Sequence, residues 1–176
     1  VVGGFICRMN ADGTRDDTFQ NGLWTVNGAV NALTVQTDGK VLIGGDFSTV
    51  DGASCSKIAR LNADGTPDAG FNNESRADGT LDPCFLNNLS GATSDQYTPR
   101  VGPVVLHSDG KVLIGGGFTE FNGVHRGGIA RLHPDGALDD SFQVGASWTN
   151  GAEVGCFELQ AGGTLLIGGH FSPSNR

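Results

Sequence analysis

The chain has 176 residues, of which 29 are glycine and 38% are hydrophobic, and its formal net charge is -8 at pH 7. Abundant glycine, with no apolar residues at three-and-four spacing, indicates turns and short strands and excludes a fold built on long helices. The 11 basic residues are scattered, which argues against a nucleic acid or an anionic membrane as partner, because both attract clustered Lys and Arg. No apolar run has the length of a transmembrane segment, so we expect no membrane insertion.

The sequence is a repeat array. Residues 9–19 read Met-Asn-Ala-Asp-Gly-Thr-Arg-Asp-Asp-Thr-Phe, and related copies lie at residues 61–71 and 132–142. The first two copies are 52 positions apart (61 − 9), and the next two are 71 positions apart (132 − 61). A unit of about 52 residues, with an insertion in the middle interval, explains both spacings.

These spacings divide the chain, as a single repeat domain, into five parts. The parts are a partial unit 1–19, a unit 28–71, an insertion 72–100, a unit 101–142 and a partial unit 152–176. The chain begins inside the repeated pattern, with Val-Val-Gly-Gly-Phe, which is typical of a mature or excised segment.

One strand recurs in every unit. Residues 39–47 read Gly-Lys-Val-Leu-Ile-Gly-Gly-Asp-Phe, and counterparts lie at residues 110–118 and 163–171. Three aliphatic residues between a turn and a glycine pair are too few for a helix, and they suit a strand that is buried on both faces. The glycine pair predicts a bulge or the close approach of another backbone, as happens where sheets stack around a common axis.

We predict four strands in unit 28–71, which are Val30 to Gln36, Lys40 to Phe47, Lys57 to Asn62 and a short strand that ends at Phe71. The Asp-Gly turns supply the positive φ that hairpins require, so each unit is an antiparallel meander. The predicted fold is all-β, with tandem four-stranded antiparallel meanders in a β-propeller-like array of about three blades per chain. A β-trefoil, which also has three four-stranded repeats at about this length, is the alternative.

The pattern from Val30 to Phe71 resembles the delta-60 repeat, a β-propeller-type family of tandem repeats in bacterial proteins. It reads Val-x-Ala-Leu-x-Val-Gln-x-Asp-Gly-Lys-Val-Leu-Ile-Gly-Gly-Asp-Phe and, after a glycine-containing loop, Ile-Ala-Arg-Leu-Asn-Ala-Asp-Gly-Thr-x-Asp-x-x-Phe. The pattern recurs from Val101 to Phe142, with partial copies at both ends. The resemblance implies a propeller-type fold and a secreted or surface-exposed bacterial protein, and it implies no single activity.

The number of blades bears on the partners of the chain. Two full units and two partial units sum to three blades, whereas closed propellers have roughly four to eight. A lone chain would leave sheet edges unpaired, and unpaired edges favour association with another chain. We therefore expect a homo-oligomer, with two chains in a six-bladed ring or three chains around an axis.

The four cysteines fall into two predicted classes. Cys7 occupies the repeat position of Ala59, and Cys156 occupies that of Ala32, so we expect both to be small buried strand residues. Cys55 and Cys84 lie in predicted loops and are candidates for a disulfide in an oxidising compartment. The Cys and His spacing does not match a zinc site.

An aromatic residue followed by threonine recurs ahead of the first strand of each unit, in segments rich in Gly and Asn that are predicted to be exposed. Flat aromatic faces stack on the apolar face of a sugar ring, while amides and hydroxyls bond its hydroxyl groups. The predicted ligand-binding residues are Trp24, Thr25, Asn27, Tyr97, Thr98, Trp148, Thr149 and Asn150. The alternative is that the rings are wedges between adjacent blades.

Other site patterns are weak. Residues 62–68 resemble part of a calcium loop, but they lack the first acidic ligand and the closing Glu, which favours a plain turn in which the Asp side chain bonds its own backbone. The Gly-Gly-Asp-Phe string at residues 44–47 changes to Gly-Gly-Gly-Phe and Gly-Gly-His-Phe in the other copies, so it is part of a strand and not a catalytic signature. We predict no catalytic residue, no metal and no cofactor.

Together these patterns favour a non-catalytic recognition or adhesion module that is secreted or displayed at the cell surface, where it binds a glycan or another surface ligand, for example at the tip of a surface fibre. The second hypothesis is a propeller-type hydrolase or lyase. Its candidate acids are Asp46, Asp51, Glu120 and Glu153, and His125 and His170 are candidate breaks in the repeat symmetry. The third hypothesis is a structural spacer in a repeat array.

Overall fold

The computed structural model describes residues 6–19, 26–55, 57–71, 89–90, 99–143 and 153–170. Within these ranges the regular elements are all β-strands, and no helix is present, which confirms the all-β prediction. It follows that the same ranges contain no helix long and apolar enough to cross a membrane.

The first unit is an antiparallel meander. Its strands are β1 (Val30–Val35), β2 (Val41–Gly45), β3 (Thr49–Val50), β4 (Ala53–Ser54) and β5 (Ile58–Leu61). Strand β2 is the centre of a three-stranded sheet, with β1 and β5 on its two sides. The turn from β1 to β2 is tight because Gly39 adopts a φ of 83°, which the Asp-Gly pair supplies without strain.

The second unit repeats this arrangement and adds one strand from the insertion. Its strands are β6 (Leu89–Ser90), β7 (Arg100–Leu106), β8 (Val112–Gly117), β9 (Glu120–Phe121), β10 (Val124–His125) and β11 (Ile129–Leu132). Strand β8 is central between β7 and β11. Strand β6 pairs with β9, so the insertion extends the β9–β10 hairpin into a small three-stranded sheet.

The two partial units are complementary halves. Strands β12 (Glu153–Leu159) and β13 (Leu165–His170) form a two-stranded sheet that corresponds to the first and second strands of a unit. Residues 6–19 correspond to the third and fourth strands, and within this described range Met9 forms an isolated bridge with Arg15.

The structure differs from the predicted strands in two places. The fourth strand is reduced to single bridges, Leu61 to Pro67 and Leu132 to Leu138, because the chain then curls into a turn in which the amide of Phe71 donates to the carbonyl of Asp68. The predicted loop between the second and third strands contains the β3–β4 hairpin. Its turn residue Asp51 has a φ of 52°, a left-handed conformation that Asp followed by Gly adopts.

Neighbouring units stack through shared apolar clusters. One cluster joins the two complete units, with Leu42, Ile58 and Phe71 from the first and residues such as Val101 and Val104 from the second. A second cluster joins residues 6–19 to the first unit, and a third joins the second unit to β12 and β13. Each unit is thus a separate sheet packed on the next, which is the arrangement of propeller blades.

The glycine pair that ends the second strand has two distinct roles. A Cβ at Gly44 would lie 2.5 Å from Val101 Cγ1 and 2.8 Å from Val104 Cγ2 of the next unit, so this glycine admits the neighbouring sheet. A Cβ at Gly45 would collide with the carbonyl oxygen of Ala29, where the register of β1 and β2 shifts through a bulge. Both predicted functions of the pair, bulge and close approach, are therefore present.

The prediction that Cys7 and Cys156 are buried is wrong, because both are exposed. Ala59, the counterpart of Cys7, is buried because it packs in the apolar cluster that joins residues 6–19 to the first unit. Cys7 and Cys156 belong to the two partial units, whose outer faces lack such a neighbour among the described residues. Burial at these repeat positions is a property of the assembled stack and not of the strand itself.

Candidate functional site

The two ends of each sheet have different characters. The Asp-Gly turns at residues 38–39, 64–65, 109–110 and 135–136 lie at one end, and the β3–β4 and β9–β10 hairpins extend from the other. The connections between units also lead into the first strand at the hairpin end, as the bridge between Val26 and Val50 demonstrates. We call this end, with its hairpins and inter-unit connections, the loop face. Loop faces on a rigid scaffold are the usual location of binding residues.

Asn27 fixes the first inter-unit connection to the loop face. Its side-chain oxygen accepts hydrogen bonds from the backbone amides of Ser48 and Thr49, both at 2.8 Å, and its side-chain amide donates to Ser48 Oγ at 2.8 Å. Its own backbone amide donates to the carbonyl of Thr49 at 3.2 Å. The Asn27 side chain is exposed to solvent, but its hydrogen bonds to Ser48 and Thr49 hold it in place beside the first residues of the β3–β4 hairpin.

The structure describes one of the predicted ligand-binding residues, Asn27. The other seven lie outside the described residues, and they are Trp24, Thr25, Tyr97, Thr98, Trp148, Thr149 and Asn150. Their participation in binding stays a prediction. What the structure adds is that the described end of the first connection is part of the loop face.

A polar junction between the first two units lies near the loop face. Asn31 on β1 donates from Nδ2 to the carbonyl of Val101 in the second unit at 3.1 Å, and to Asp46 Oδ2 at 3.4 Å. Lys57 Nζ donates to the backbone carbonyl of Asp46 at 3.0 Å. Asp46 Oδ1 is buried without a hydrogen-bond partner in the described part of the chain. Asp46 therefore follows β2 at a unit boundary, with one carboxylate oxygen held by an amide.

The next boundary has a different polar pair. Arg100, at the start of β7, donates from Nη2 to Glu153 Oε1 at the start of β12. Glu153 is also directly opposite His170 in the β12–β13 ladder. The repeat positions of Asp46 and His170 are the same, and Gly117 occupies them in the second unit. The loop-face ends of the strands therefore differ from unit to unit, while the strands themselves repeat.

The structure does not gather the four candidate acids into one cluster. Asp46 is held by Asn31 and Glu153 by Arg100, at different unit boundaries. Asp51 occupies the turn of the β3–β4 hairpin. Glu120 is opposite His125 in the β9–β10 ladder. Sequence reasoning identified these acids and histidines, but it missed Asn31 and Arg100, because their partners belong to other units.

At the opposite end of the sheets, the aspartate side chains of the repeated turns have a structural role. Asp64 Oδ1 accepts from the backbone amide and hydroxyl of Thr66 at 2.9 and 2.7 Å, and these hydrogen bonds, with the hydroxyl the stronger, lower the pKa of Asp64. Asp12 makes the same turn with Thr14. The prediction of a plain turn at residues 62–68, in which the Asp side chain bonds its own backbone, is confirmed, and Asp135 makes the equivalent bond in the third copy.

The second aspartate of the same motif forms a buried ionic clasp. Asp139 is 2% exposed and accepts from Ser141 Oγ at 2.6 Å, Lys111 Nζ at 2.9 Å and Arg131 Nε at 2.7 Å. The Ser141 hydroxyl, Lys111 and Arg131 together outweigh burial and hold the pKa of Asp139 far below its ordinary value. Arg131 also lies over the ring of Phe142, 4.9 Å from its centre.

The full clasp recurs in the second copy of the motif, and in the first copy Asp16 binds Arg8 alone. Asp68 binds Lys40 and Arg60, and Arg60 stacks on Phe71 at 4.7 Å. Burial alone would raise the pKa of Asp68, but its hydrogen bonds to Lys40, to the amide of Gly70 and to Arg60 lower it overall. The repeated Arg, Asp and Phe therefore hold the end of each unit together, which leaves the loop face as the candidate site.

Three further observations concern chemistry at the described residues. Within them, no group of three or more His, Cys, Asp or Glu side chains is arranged to hold a metal ion. Cys55 is fully buried and disulfide-bonded, and its partner lies outside the described residues, as does Cys84. The small apolar cavity beside residues 6–8, lined in part by Leu33 and Val35, lies between units and away from the hairpins.

Comparison with known families gives one match. Residues 36–71 and 107–142 match the family model of the domain of unknown function DUF5122, which is described as a beta-propeller. The matched segments run from the end of the first strand to the motif phenylalanine in each complete unit. No curated protein and no solved structure shows significant similarity to the chain.

Proposed function

We propose that this chain, whose two complete units match a β-propeller repeat, is a non-catalytic recognition module that binds carbohydrate outside the cell. We further propose that its repeats are of the delta-60 type. Adhesion through weak sites repeated from unit to unit, for example at the tip of a surface fibre, is the setting that this organisation suits, because repeated sites gain avidity when they are linked.

The observation that carries the proposal is the anchoring of the first inter-unit connection at Asn27. Three hydrogen bonds join this connection to the β3–β4 hairpin, because Asn27 Oδ1 accepts from the amides of Ser48 and Thr49 and Asn27 Nδ2 donates to Ser48 Oγ. Trp24 and Thr25 precede this anchor in the sequence by three and two positions. An aromatic residue next to a fixed point on a loop face loses little conformational entropy when it stacks on a ligand.

The chemistry of the connections supports a sugar as the ligand class. Each contains an aromatic residue followed by threonine, with Gly and Asn nearby. Aromatic rings pack against the C–H face of a pyranose, and hydroxyl and amide groups satisfy its polar rim. The formal charge of -8 makes an acidic glycan a poorer ligand than a neutral one, because the protein field repels anions.

The disulfide at Cys55 supports an extracellular location. Disulfides persist in oxidising compartments and are rare in the cytosol, where thiols are kept reduced. Cys55 follows the β3–β4 hairpin of the loop face, and it is fully buried. A covalent link at this point would stabilise the conformation of the loop face in the extracellular medium.

The enzyme hypothesis is weaker because the candidate acids have separate partners. A glycosidase requires two carboxyl groups on either side of one scissile bond. Asp46 and Glu153 are each engaged at a different unit boundary, by Asn31 and by Arg100. Glu153 opposite His170 is the one described acid and imidazole pairing at the loop-face end of the long strands, so Glu153→Gln is the variant that tests this alternative.

A glycan-array screen tests the proposed function. We expect the purified chain to bind a limited set of neutral glycans, and Trp24→Ala and Trp148→Ala each to weaken that binding at least about tenfold, since stacking contributes on the order of 1.5 kcal/mol per ring. Trp24→Phe retains a ring and should bind more tightly than Trp24→Ala. The control is Asp38→Ala, which alters a turn at the opposite end of the sheet.

Two outcomes would refute the proposal. The first is the absence of binding to any glycan by the correctly folded chain. The second is binding that both tryptophan variants retain at full strength. Mass spectrometry of the bound glycan after incubation separates recognition from catalysis, because cleavage that Glu153→Gln abolishes would establish the hydrolase or lyase alternative.

A further inference from the structure

Three positions that are glycine in the second complete unit carry polar side chains in the first. By the repeat offset of 71 (102 − 31), Asn31, Asp46 and Lys57 correspond to Gly102, Gly117 and Gly128. The β1–β2 and β7–β8 ladders have the same register, which confirms this alignment. The second unit forms the same strands with glycine at all three positions, so the fold does not require these side chains.

The three side chains converge on one spot at the boundary with the second unit. Asn31 Nδ2 donates to Asp46 Oδ2 at 3.4 Å and to the carbonyl oxygen of Val101 at 3.1 Å. Lys57 Nζ donates to the carbonyl oxygen of Asp46 at 3.0 Å. Asp46 and Lys57 are half-buried and Asn31 is exposed, so the group borders solvent. We call Asn31, Asp46 and Lys57 the polar cluster.

Lys57 adopts a backbone conformation that suits glycine. Its φ is 72°, and the φ of Gly128 is 82°. The fold fixes this conformation, because the amide of Lys57 donates to the carbonyl of Phe47 at 3.0 Å and its carbonyl accepts from the amide of Gly45 at 2.9 Å. A side chain at positive φ strains the backbone, whereas glycine adopts this region freely. The backbone of the folded chain is therefore more strained with lysine than with glycine at position 57.

The Asp46 carboxylate contributes little to the fold. In the described part of the chain, Oδ1 is buried without a hydrogen-bond partner, and Oδ2 has only the long bond from Asn31. A buried acceptor without a donor destabilises the folded state. Among the same residues no ion pair joins this carboxylate to Lys57. Strained and unsatisfied groups that the fold does not need are typical of functional sites.

We propose that the polar cluster is a hydrogen-bonding subsite for a hydroxyl group of a neutral sugar; this inference rests on the proposed function and adds residues that determine its specificity. Lys57 Nζ has three N–H donors, of which the Asp46 carbonyl uses one, and a carboxylate accepts several hydrogen bonds. A hydroxyl group both donates and accepts. One sugar hydroxyl therefore joins the two groups, accepting from Lys57 Nζ and donating to Asp46 Oδ2.

The charges of the polar cluster select an uncharged ligand. One acidic and one basic side chain leave no net charge at this spot. Asp46 repels an acidic sugar, and Lys57 repels an amine or a metal cation. Of the two complete units, only the first has these groups, so the subsite gives this unit a specificity that the second does not share.

The polar cluster lies at the end of the first inter-unit connection. The amide of Asp46 donates to the carbonyl of Ala29 at 2.8 Å. A Cβ at Gly28 would lie 2.8 Å from the carbonyl oxygen of Asp46, so the connection packs directly on this residue. Asn27, one position earlier, is the anchor of the connection to the β3–β4 hairpin. The connection to which the proposed function assigns sugar binding thus ends at the polar cluster.

The second unit suggests a variant that separates binding from folding. Lys57→Gly should keep or raise the melting temperature, because it removes the backbone strain. It should weaken binding to neutral oligosaccharides of glucose, galactose and mannose at least about tenfold, the effect of losing a hydrogen bond to a charged group. Lys57→Ala keeps a Cβ at positive φ, so it should bind as weakly as Lys57→Gly and be less stable.

Two further variants complete this comparison. Asp46→Ala should also weaken binding at least about tenfold, and Asp46→Asn, which retains an acceptor, should bind more tightly than Asp46→Ala. The matched control is Arg15→Ala, which removes one positive charge at a side chain that is 62% exposed and belongs to a turn at the opposite end. Arg15→Ala should bind as the parent chain does.

Monodeoxy derivatives of the methyl glycosides of the same three sugars identify the hydroxyl. Removal of one hydroxyl should weaken binding to the parent chain at least about tenfold. The same removal should have no effect on binding to Lys57→Gly, because the partner of that hydroxyl is already absent. Such coupling between a sugar hydroxyl and a side chain reports direct contact, which a merely structural residue would not produce.

Two outcomes overturn this inference alone. The first is that Lys57→Gly binds the oligosaccharides as tightly as the parent chain, while Trp24→Ala weakens binding. The second is that Lys57→Gly melts at least about 4 °C lower than the parent chain, since Lys57 would then stabilise the fold. Absence of binding by the folded parent chain would instead refute the proposed function and this inference together.

Discussion

Gly44 lies directly beneath Val104 of the following unit, and a Cβ at position 44 would be 2.8 Å from Val104 Cγ2. Real Cβ atoms do not approach a neighbour so closely, and valine is stiff at χ1, so it cannot turn away cheaply. The absence of a side chain on one strand therefore sets the distance between two sheets. The same relation holds between Gly115 and Phe157 one unit later.

Gly44→Ala should destabilise the chain by about 1 to 3 kcal/mol, because the added methyl group forces the first two units apart. Urea unfolding followed by tryptophan fluorescence measures this change. Gly155→Ala is the matched control, since the nearest atom to its Cβ is 3.7 Å away, which is ordinary contact. Equal stability of both variants would show that the two sheets are not packed as described.

Asp139→Asn should cost about 2 kcal/mol at pH 7, because it leaves Lys111 and Arg131 without their shared carboxylate. Thermal unfolding measures the loss. The control is Asp17→Asn, at a carboxylate that is 87% exposed and 3.6 Å from Arg15, and we expect it to change stability by less than about 0.5 kcal/mol.

The stability contributed by Asp139 should depend on pH. Its folded pKa is lowered, chiefly by the Ser141 hydroxyl and Lys111, whereas the unfolded value is about 3.9. Because the folded pKa is the lower one, the unfolded chain takes up the proton first, and the stabilisation is present above about pH 4 and lost as the pH falls toward the folded pKa. The difference in stability between the parent chain and Asp139→Asn should therefore narrow from pH 5 to pH 2. If the difference in stability stayed constant over this pH range, the Asp139 carboxylate would not stabilise the folded chain through Lys111, Arg131 and Ser141.

Asn27→Ala should destabilise the loop face by about 1 to 2 kcal/mol, since the amides of Ser48 and Thr49 lose their acceptor. Asn27→Asp keeps that acceptor and should restore most of the stability. Hydrogen exchange at the Ser48 and Thr49 amides reports the effect locally. If Asn27→Ala weakens glycan binding while both amides stay protected from exchange, Asn27 contacts the ligand directly, and its hydrogen bonds to Ser48 and Thr49 are not the cause of the effect.

Cys55 should be linked to Cys84, because Cys7 and Cys156 are free. Peptide mapping under non-reducing conditions should recover these two cysteines in one species. Cys84→Ser should release a reactive thiol and lower the melting temperature, and Cys156→Ser should do neither. Recovery of Cys55 with any other cysteine would contradict this pairing.

The strands and turns followed from local sequence. An aliphatic triplet such as Val41 to Ile43, entered through Asp-Gly, has few alternatives to a buried strand in a hairpin, and the observed strand begins within one residue of the predicted start at Lys40. The β3–β4 hairpin escaped prediction because strands of two residues have no periodicity to detect. Its signal was the Asp51-Gly52 pair, which also adopts positive φ.

The roles of residues that contact a neighbouring unit could not be predicted from local sequence. Cys7 and Ala59 share a repeat position, yet one is exposed and the other buried. The sequence likewise gave no indication of the roles of Asn31 and Arg100, because their hydrogen-bond partners Val101 and Glu153 are 70 and 53 positions away. A repeated strand sequence specifies which faces are apolar, but the stack determines which of those faces is covered.

The sequence by itself determined the all-β class, the period of the units and the turn chemistry, because hydrogen bonds in hairpins and Asp-Gly turns join residues that are close along the chain. Only the tertiary structure decided which glycine admits a neighbour, which polar side chains meet at unit boundaries, and which repeat positions are covered by a neighbouring unit. Those features arise from contacts between units, and the energy of such contacts depends on the distance and angle between sheets, which no single repeat encodes.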